Sequence, residues 1–171
     1  MTRPLLSAIL CLLLAVPAAA QSHFAPMIRM GQLAGDWVGT VTNTKRAGSD
    51  KPLPVHLHYD AVSAGNAVVE TLKMGEFPGM VSVYYQEGDQ LMMTHFCTSN
   101  TQPRLRTRSI PRDMKEFVFV FVDSTNILNA NWMNIVSLKL EFPTKDDIVQ
   151  SWQSHDRAEG ATVVTVHRAS K

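Results

Sequence analysis

The chain reads as an all-β protein: an antiparallel up-and-down β-barrel of about 8–10 strands with a short N-terminal helical arm. Three observations predict this. Short apolar or alternating runs recur every 8–15 residues along the chain, the spacing of consecutive strands. The breaks between them have hairpin length and turn chemistry, which joins neighbours in sequence as neighbours in the sheet. Helical patterns do not alternate with the strands and no 20–50-residue repeat is present, which argues against α/β and solenoid folds.

The elements follow in order. The segment from Phe24 to Leu33 can make one or two helical turns, weakened by Gly31 and ended by Gly35. Strand runs come next at Trp37–Thr42, Val55–Val62, Ala67–Lys73, Val81–Gln86 and Gln90–Phe96. The second half adds Leu105–Ile110, Glu116–Asp123, Met133–Phe142, Ile148–Gln153 and Thr162–His167. Gly, Asn, Asp, Ser and Pro punctuate them, as in Ser63-Ala64-Gly65-Asn66, Glu87-Gly88-Asp89 and Pro143-Thr144-Lys145-Asp146-Asp147. Asn43 to Pro54 is the longest polar connection. Asn100 and Pro103 are read as loop residues that end the run before them. Closing the sheet removes exposed strand edges, and a barrel of this size can enclose one small ligand.

Residues 1–20 are expected to be a signal peptide and residues 21–171 a single domain. Arg3 is a positive n-region, Leu5–Val16 a twelve-residue apolar stretch and Ala18-Ala19-Ala20 a small-residue cleavage site. The apolar stretch is short of the roughly 20 residues that span a bilayer. The expectation is an exported protein, periplasmic or secreted after cleavage near Ala20, with no membrane insertion. Cys11 follows a bulky Leu10 inside the apolar stretch, which does not suit lipid attachment. Without the leader, Cys97 is the single thiol and no internal disulfide can form, so stability rests on a core. The same cut leaves 15 basic against 15 acidic residues. This balance gives no electrostatic footprint for nucleic acid.

Leu33-Ala34-Gly35-Asp36-Trp37-Val38-Gly39-Thr40 opens the first strand with a Gly-x-Trp-x-Gly pattern. It resembles the first strand of calycin-type barrels, which include lipocalins and nitrobindin-like proteins. Further along stand Val68-Val69-Glu70-Thr71-Leu72 and Met80-Val81-Ser82-Val83-Tyr84-Tyr85, then Thr94-His95-Phe96-Cys97 seven residues before Arg104. With these the chain is similar, over most of residues 33–168, to a group of uncharacterised secreted bacterial proteins with lipocalin-like barrels. The resemblance implies the fold, a Trp37 that closes one barrel end, and a pocket; it implies no reaction. Thr101 between Asn100 and Gln102 departs from the group's pattern. Asn134 stands where many members carry a histidine, so a metal site built on that histidine would be missing here.

The segment from Thr94 to Arg104 gathers an imidazole, a thiol, an amide and a guanidinium at a strand end and its loop, where binding groups tend to sit. His95 and Cys97 share a strand face with Leu91 and Met93, which points them inward. Gln102 or Arg104 can fold back over the mouth to meet His95. Glu70 shares a face with Val68 and Leu72. It either pairs with Arg104 or Arg106 inside or faces out beside Lys73. The candidate ligand-binding set is therefore His95, Cys97, Gln102, Arg104, Glu70 and Met93. Arg104, Arg106 and Arg108 otherwise form a solvated outer stripe. His56 and His58 share one face, opposite Val55, Leu57 and Tyr59. They either face solvent or begin a metal site with His95 as third ligand. No cofactor is required; a nitrobindin-like haem held by His155 or His167 is the alternative. Phe117–Val122 is apolar on both faces. Its outer face calls for cover by the arm containing Met27, Ile28 and Met30, or by a second copy in a homodimer.

Hydrolase, phosphate-loop, zinc-protease and Cys-x-x-Cys motifs are absent from the sequence. The leading functional expectation is binding of a small apolar or amphipathic molecule in the barrel under a polar rim. One alternative is a barrel enzyme of isomerase, cyclase or hydrolase type, with His95 as general base and Glu70 or Cys97 as partner. Another is a structural or interaction protein whose barrel is filled by its own side chains.

Overall fold

A computed structural model describes residues 24–42, 51–129, 131–155 and 160–170. The expected leader and the connection 43–50 lie outside them. The order is α1 (Ala25–Gly31), β1 (Gly35–Thr42), β2 (Leu53–Val62), a 3-10 turn at Ser63–Gly65, β3 (Ala67–Met74), β4 (Met80–Glu87) and β5 (Gln90–Phe96). Then come β6 (Gln102–Thr107), β7 (Glu116–Thr125), β8 (Ile135–Thr144), β9 (Asp147–Ser154) and β10 (Thr162–Arg168). Each strand pairs antiparallel with its sequence neighbours, and β1 pairs with β10 to close the barrel. The expected all-β up-and-down barrel with an N-terminal helical arm is the observed fold.

Alternation decides which residues face in. In β2, Val55, Leu57 and Tyr59 are buried between exposed His56, His58 and Asp60. The same period puts Trp37 and Val41 of β1, Phe117 and Phe119 of β7, and Leu138, Leu140 and Phe142 of β8 inside.

Two strands are displaced along the chain from the sequence reading, β6 by three residues and β8 by two. Pro103, expected in a loop, is buried within β6 opposite Ser124. It lies beside a register shift between Arg104 and Leu105, an irregularity that accommodates a residue lacking an N–H donor. The β5–β6 reversal is shorter than expected: Asn100 N–H donates to the Cys97 carbonyl at 3.0 Å, and Asn100 takes φ 64°, a conformation Asn tolerates. Pro143 likewise falls inside β8, in a stretch where the β8–β9 register shifts.

One end of the barrel is plugged. Helix α1 inserts Met27 and Met30, and Leu33 follows it into the core. Trp37 is fully buried there and donates its indole N–H to the Leu33 carbonyl at 2.8 Å. Arg168 stacks over the Trp37 ring, 4.3 Å from its centroid, and donates to the Ala34 and Gln32 carbonyls at 3.0 and 3.1 Å. Gly39 explains the second glycine of the motif. A Cβ there would strike the Thr165 carbonyl and lie 2.8 Å from Val166 Cα, so β1 and β10 meet closely only because position 39 has no side chain.

The arm does not cover the outside of β7, as the sequence had suggested. It enters the barrel end instead, and the outward Val118 and Val120 are half-buried. No helix among the described residues is long and apolar enough to cross a membrane.

Candidate functional site

The antiparallel register sets four inward side chains side by side across adjacent strands. Tyr59 is opposite Glu70, Glu70 opposite Ser82, and Ser82 opposite His95. All four are buried. Gln150, inward on β9, reaches across the lumen to them. Its Nε2 donates to Glu70 Oε2 and to the Tyr59 hydroxyl, each at 2.8 Å. Its Oε1 accepts the Trp152 indole N–H at 2.8 Å. The Tyr84 hydroxyl donates to the same Glu70 Oε2 at 3.0 Å. Ser82 Oγ lies 3.0 Å from His95 Nδ1. The His95 and Trp152 rings touch, with centroids 5.0 Å apart.

Together these side chains form a polar floor across the barrel. On the plugged side of it the interior is packed. On the other side lies a cavity of about 430 Å³. Its walls include Leu53, Leu72, Met80, Ile135 and Val164, with Trp152 and His95 at its base. Phe77, Pro78, Thr98, Ser99 and Met133 come from the connections at the open end. Among the described residues the lining contains no Lys, Arg, Asp or Glu.

Burial sets the electrostatics. It lowers the His95 imidazole to about 4, so the ring is neutral at neutral pH. It raises the Glu70 carboxyl, while hydrogen bonding from Tyr59, Tyr84, Gln150 and Ser82 works the other way. Burial, reinforced by the Glu70 charge, pushes the Tyr59 and Tyr84 hydroxyls well above their usual range. The Ser82 hydroxyl is near enough to favour ionised Glu70, but no hydrogen bond of good geometry closes on Glu70 Oε1.

The structure brings together some of the residues singled out from sequence and separates others. His95 and Cys97 both line the cavity, on the inward face. Cys97 is half-buried at the mouth, its N–H donating to the Thr101 carbonyl at 3.1 Å. Of the two positions expected for Glu70 the inward one is observed, beneath the cavity, and its partners are a hydroxyl and an amide rather than Arg104 or Arg106. Arg104 is on the outer face, where it forms a two-pronged pair with Asp123 at 2.8 and 2.5 Å. It cannot close the mouth, because the inward positions of β6 are Pro103, Leu105 and Thr107. Gln102 stays at the rim and does not line the cavity. It accepts hydrogen bonds from Thr125 Oγ1 and Asn126 Nδ2 and donates to the Asn100 carbonyl, tying β6 to β7. Met93 is buried opposite Tyr84 and Leu105, below the cavity rather than in its wall.

His56 and His58 face outward and share Asp36 Oδ1 at 3.1 and 2.8 Å. His95 is inside the barrel and cannot join them. His155 and His167 are exposed, and neither lines the cavity. Sequence reasoning missed Tyr59, Ser82, Tyr84, Gln150 and Trp152. The available signal was polar residues in phase with apolar ones: Ser82 between Met80 and Tyr84, and Gln150 between Ile148 and Trp152.

No protein-family model matches the chain, and no curated protein matches it in sequence.

Proposed function

We propose that this protein is an exported small-molecule-binding barrel. It holds a largely apolar ligand in the open-end cavity, and His95 contacts the ligand's polar group. The observation that carries this is the cavity itself, about 430 Å³ with mostly apolar walls and one imidazole at its base. Its size and lining suit a small-molecule site, where a few placed polar groups orient an apolar body. Cys97 contributes a second polarisable contact at the mouth. A barrel filled by its own side chains would leave no such space.

The test uses N-phenyl-1-naphthylamine, a neutral apolar dye whose fluorescence rises on leaving water. Saturable binding is expected, weakened by Leu72→Trp, which fills the cavity. Native mass spectrometry of freshly isolated protein would show any co-purifying mass. The reading fails if the folded protein neither binds the dye nor carries a small molecule.

The Glu70–Ser82–His95 row favours a second reading, a barrel enzyme using His95 as general base. Against it, an imidazole lowered to about 4 is a weak base at neutral pH.

A further inference from the structure

We infer that the cavity is built for a neutral ligand bearing a hydrogen-bond donor, such as a phenol or alcohol on an apolar body, which His95 Nε2 accepts. This deepens the binding reading and rests on it. One group in the floor has a single possible role. An indole N–H can only donate, so the 2.8 Å contact of Trp152 Nε1 makes Gln150 Oε1 an acceptor. The Gln150 amide is thereby oriented, and its NH2 group faces Glu70 and Tyr59. Glu70 Oε2 accepts from Gln150 and from Tyr84. The Tyr59 oxygen already accepts from Gln150, so its own proton is free to turn toward Glu70.

The floor is therefore directional: its donors run toward Glu70. We assign the Ser82 proton the same sense, because Ser82 stands opposite Glu70 in the register and Glu70 Oε1 is the one carboxylate oxygen there without a partner. With the Ser82 O–H directed at Glu70, its oxygen accepts at 3.0 Å from His95 Nδ1–H. A neutral imidazole has one N–H and one lone pair. With the proton on Nδ1, the lone pair sits on Nε2, for which there is no partner among the described residues. His95 is 2% exposed and lines the cavity, so the ligand meets an acceptor at its base. Among the described residues no cation lines the cavity to hold a carboxylate. An anionic ligand would lose its hydration without a partner.

The experiment titrates three biphenyl probes against bound N-phenyl-1-naphthylamine: 4-phenylphenol, 4-methoxybiphenyl and biphenyl-4-carboxylate. The phenol is expected to bind about tenfold more tightly than its methyl ether, the worth of one buried hydrogen bond. The carboxylate should be the weakest. In His95→Phe the preference for the phenol over the ether is lost. Should that variant not fold, nitrogen-15 NMR of the wild-type imidazoles reads the tautomer directly, and a proton on Nε2 of His95 overturns the inference. Dye binding with equal phenol and ether affinities, or with the carboxylate tightest, also overturns it while leaving the binding reading intact. Failure of the dye and of all three probes to bind the folded protein removes both.

Discussion

The two ends of this barrel are made of the same ten strands and treat the interior in opposite ways. At the plugged end Trp37, Phe117, Phe119, Met30 and Leu33 fill the lumen, and Arg168 locks the last strand to the chain entering the first. At the open end Leu72, Met80, Ile135 and Val164 surround space. The boundary between them is the polar floor. Buried hydroxyls, an amide and a carboxyl are costly unless satisfied, and here all but Glu70 Oε1 find partners across the lumen. The lesson is a division of labour along the barrel axis: one half supplies stability, and the other is released from packing to form a cavity.

The most severe way to break this division is to attack the seam at the plugged end. Gly39→Ala puts a methyl into the β10 backbone, where neither strand can yield cheaply, and should prevent a stable fold. Trp37→Ala, with room left behind it, should cost about 3–5 kcal/mol. Denaturant melts would show this, and the surviving folded fraction should still bind dye. A change in the cavity affinity of that fraction would mean the halves are coupled.

The floor gives the next effect. Folded His95 stays neutral down to about pH 4, whereas the unfolded residue takes up a proton below about 6.5. The unfolded state therefore binds more protons in that window, and stability falls as pH drops from 6.5 to 4, by roughly 3 kcal/mol. His95→Phe removes this component, so its unfolding free energy should fall less than the wild type's over the same window. Parallel curves would show that His95 is not sequestered. Glu70 acts with the opposite sign. Its raised carboxyl contributes stability at low pH that is lost as pH rises through its folded value, so Glu70→Gln should flatten that loss.

At the open end, Met80→Ala enlarges a space that already exists. It should cost about 2 kcal/mol, at the lower limit for such truncations, while altering dye affinity measurably. A loss as large as that of Trp37→Ala would mean that this half is packed too. The smallest effect belongs to the outer face. Arg104→Ala breaks an exposed pair with Asp123 and should leave the denaturation midpoint and the dye affinity nearly unchanged. A strong effect on binding would return Arg104 to the mouth.

The fold was legible because local signals agreed. Alternation in Val55–Tyr59 and turn chemistry at Glu87-Gly88-Asp89 both point to hairpins, and consecutive hairpins make an up-and-down barrel. The inward direction of His95 and Cys97 was legible from the period of two. What escaped was contact across the lumen. Gln150 and Glu70 are 80 positions apart and belong to strands that are not neighbours, so no local pattern links them. Arg104 was placed at the mouth on its chemistry alone, although alternation with Leu105 already directed it outward. Pro103 was read as a breaker, because the register shift that accommodates it depends on the partner strand.

Closure through β1 and β10 joins residues far apart in sequence, such as Trp37 and Arg168. That pairing cannot form until the final strand exists, however early the preceding hairpins assemble. It is the pairing of longest sequence separation in the barrel, with the highest loop-closure cost. Until it forms, β1 and β10 each present an unpaired edge. The seam between the first and last strands is thus also a clock, and the interval before it shuts is when this chain is most exposed to pairing with another copy of itself.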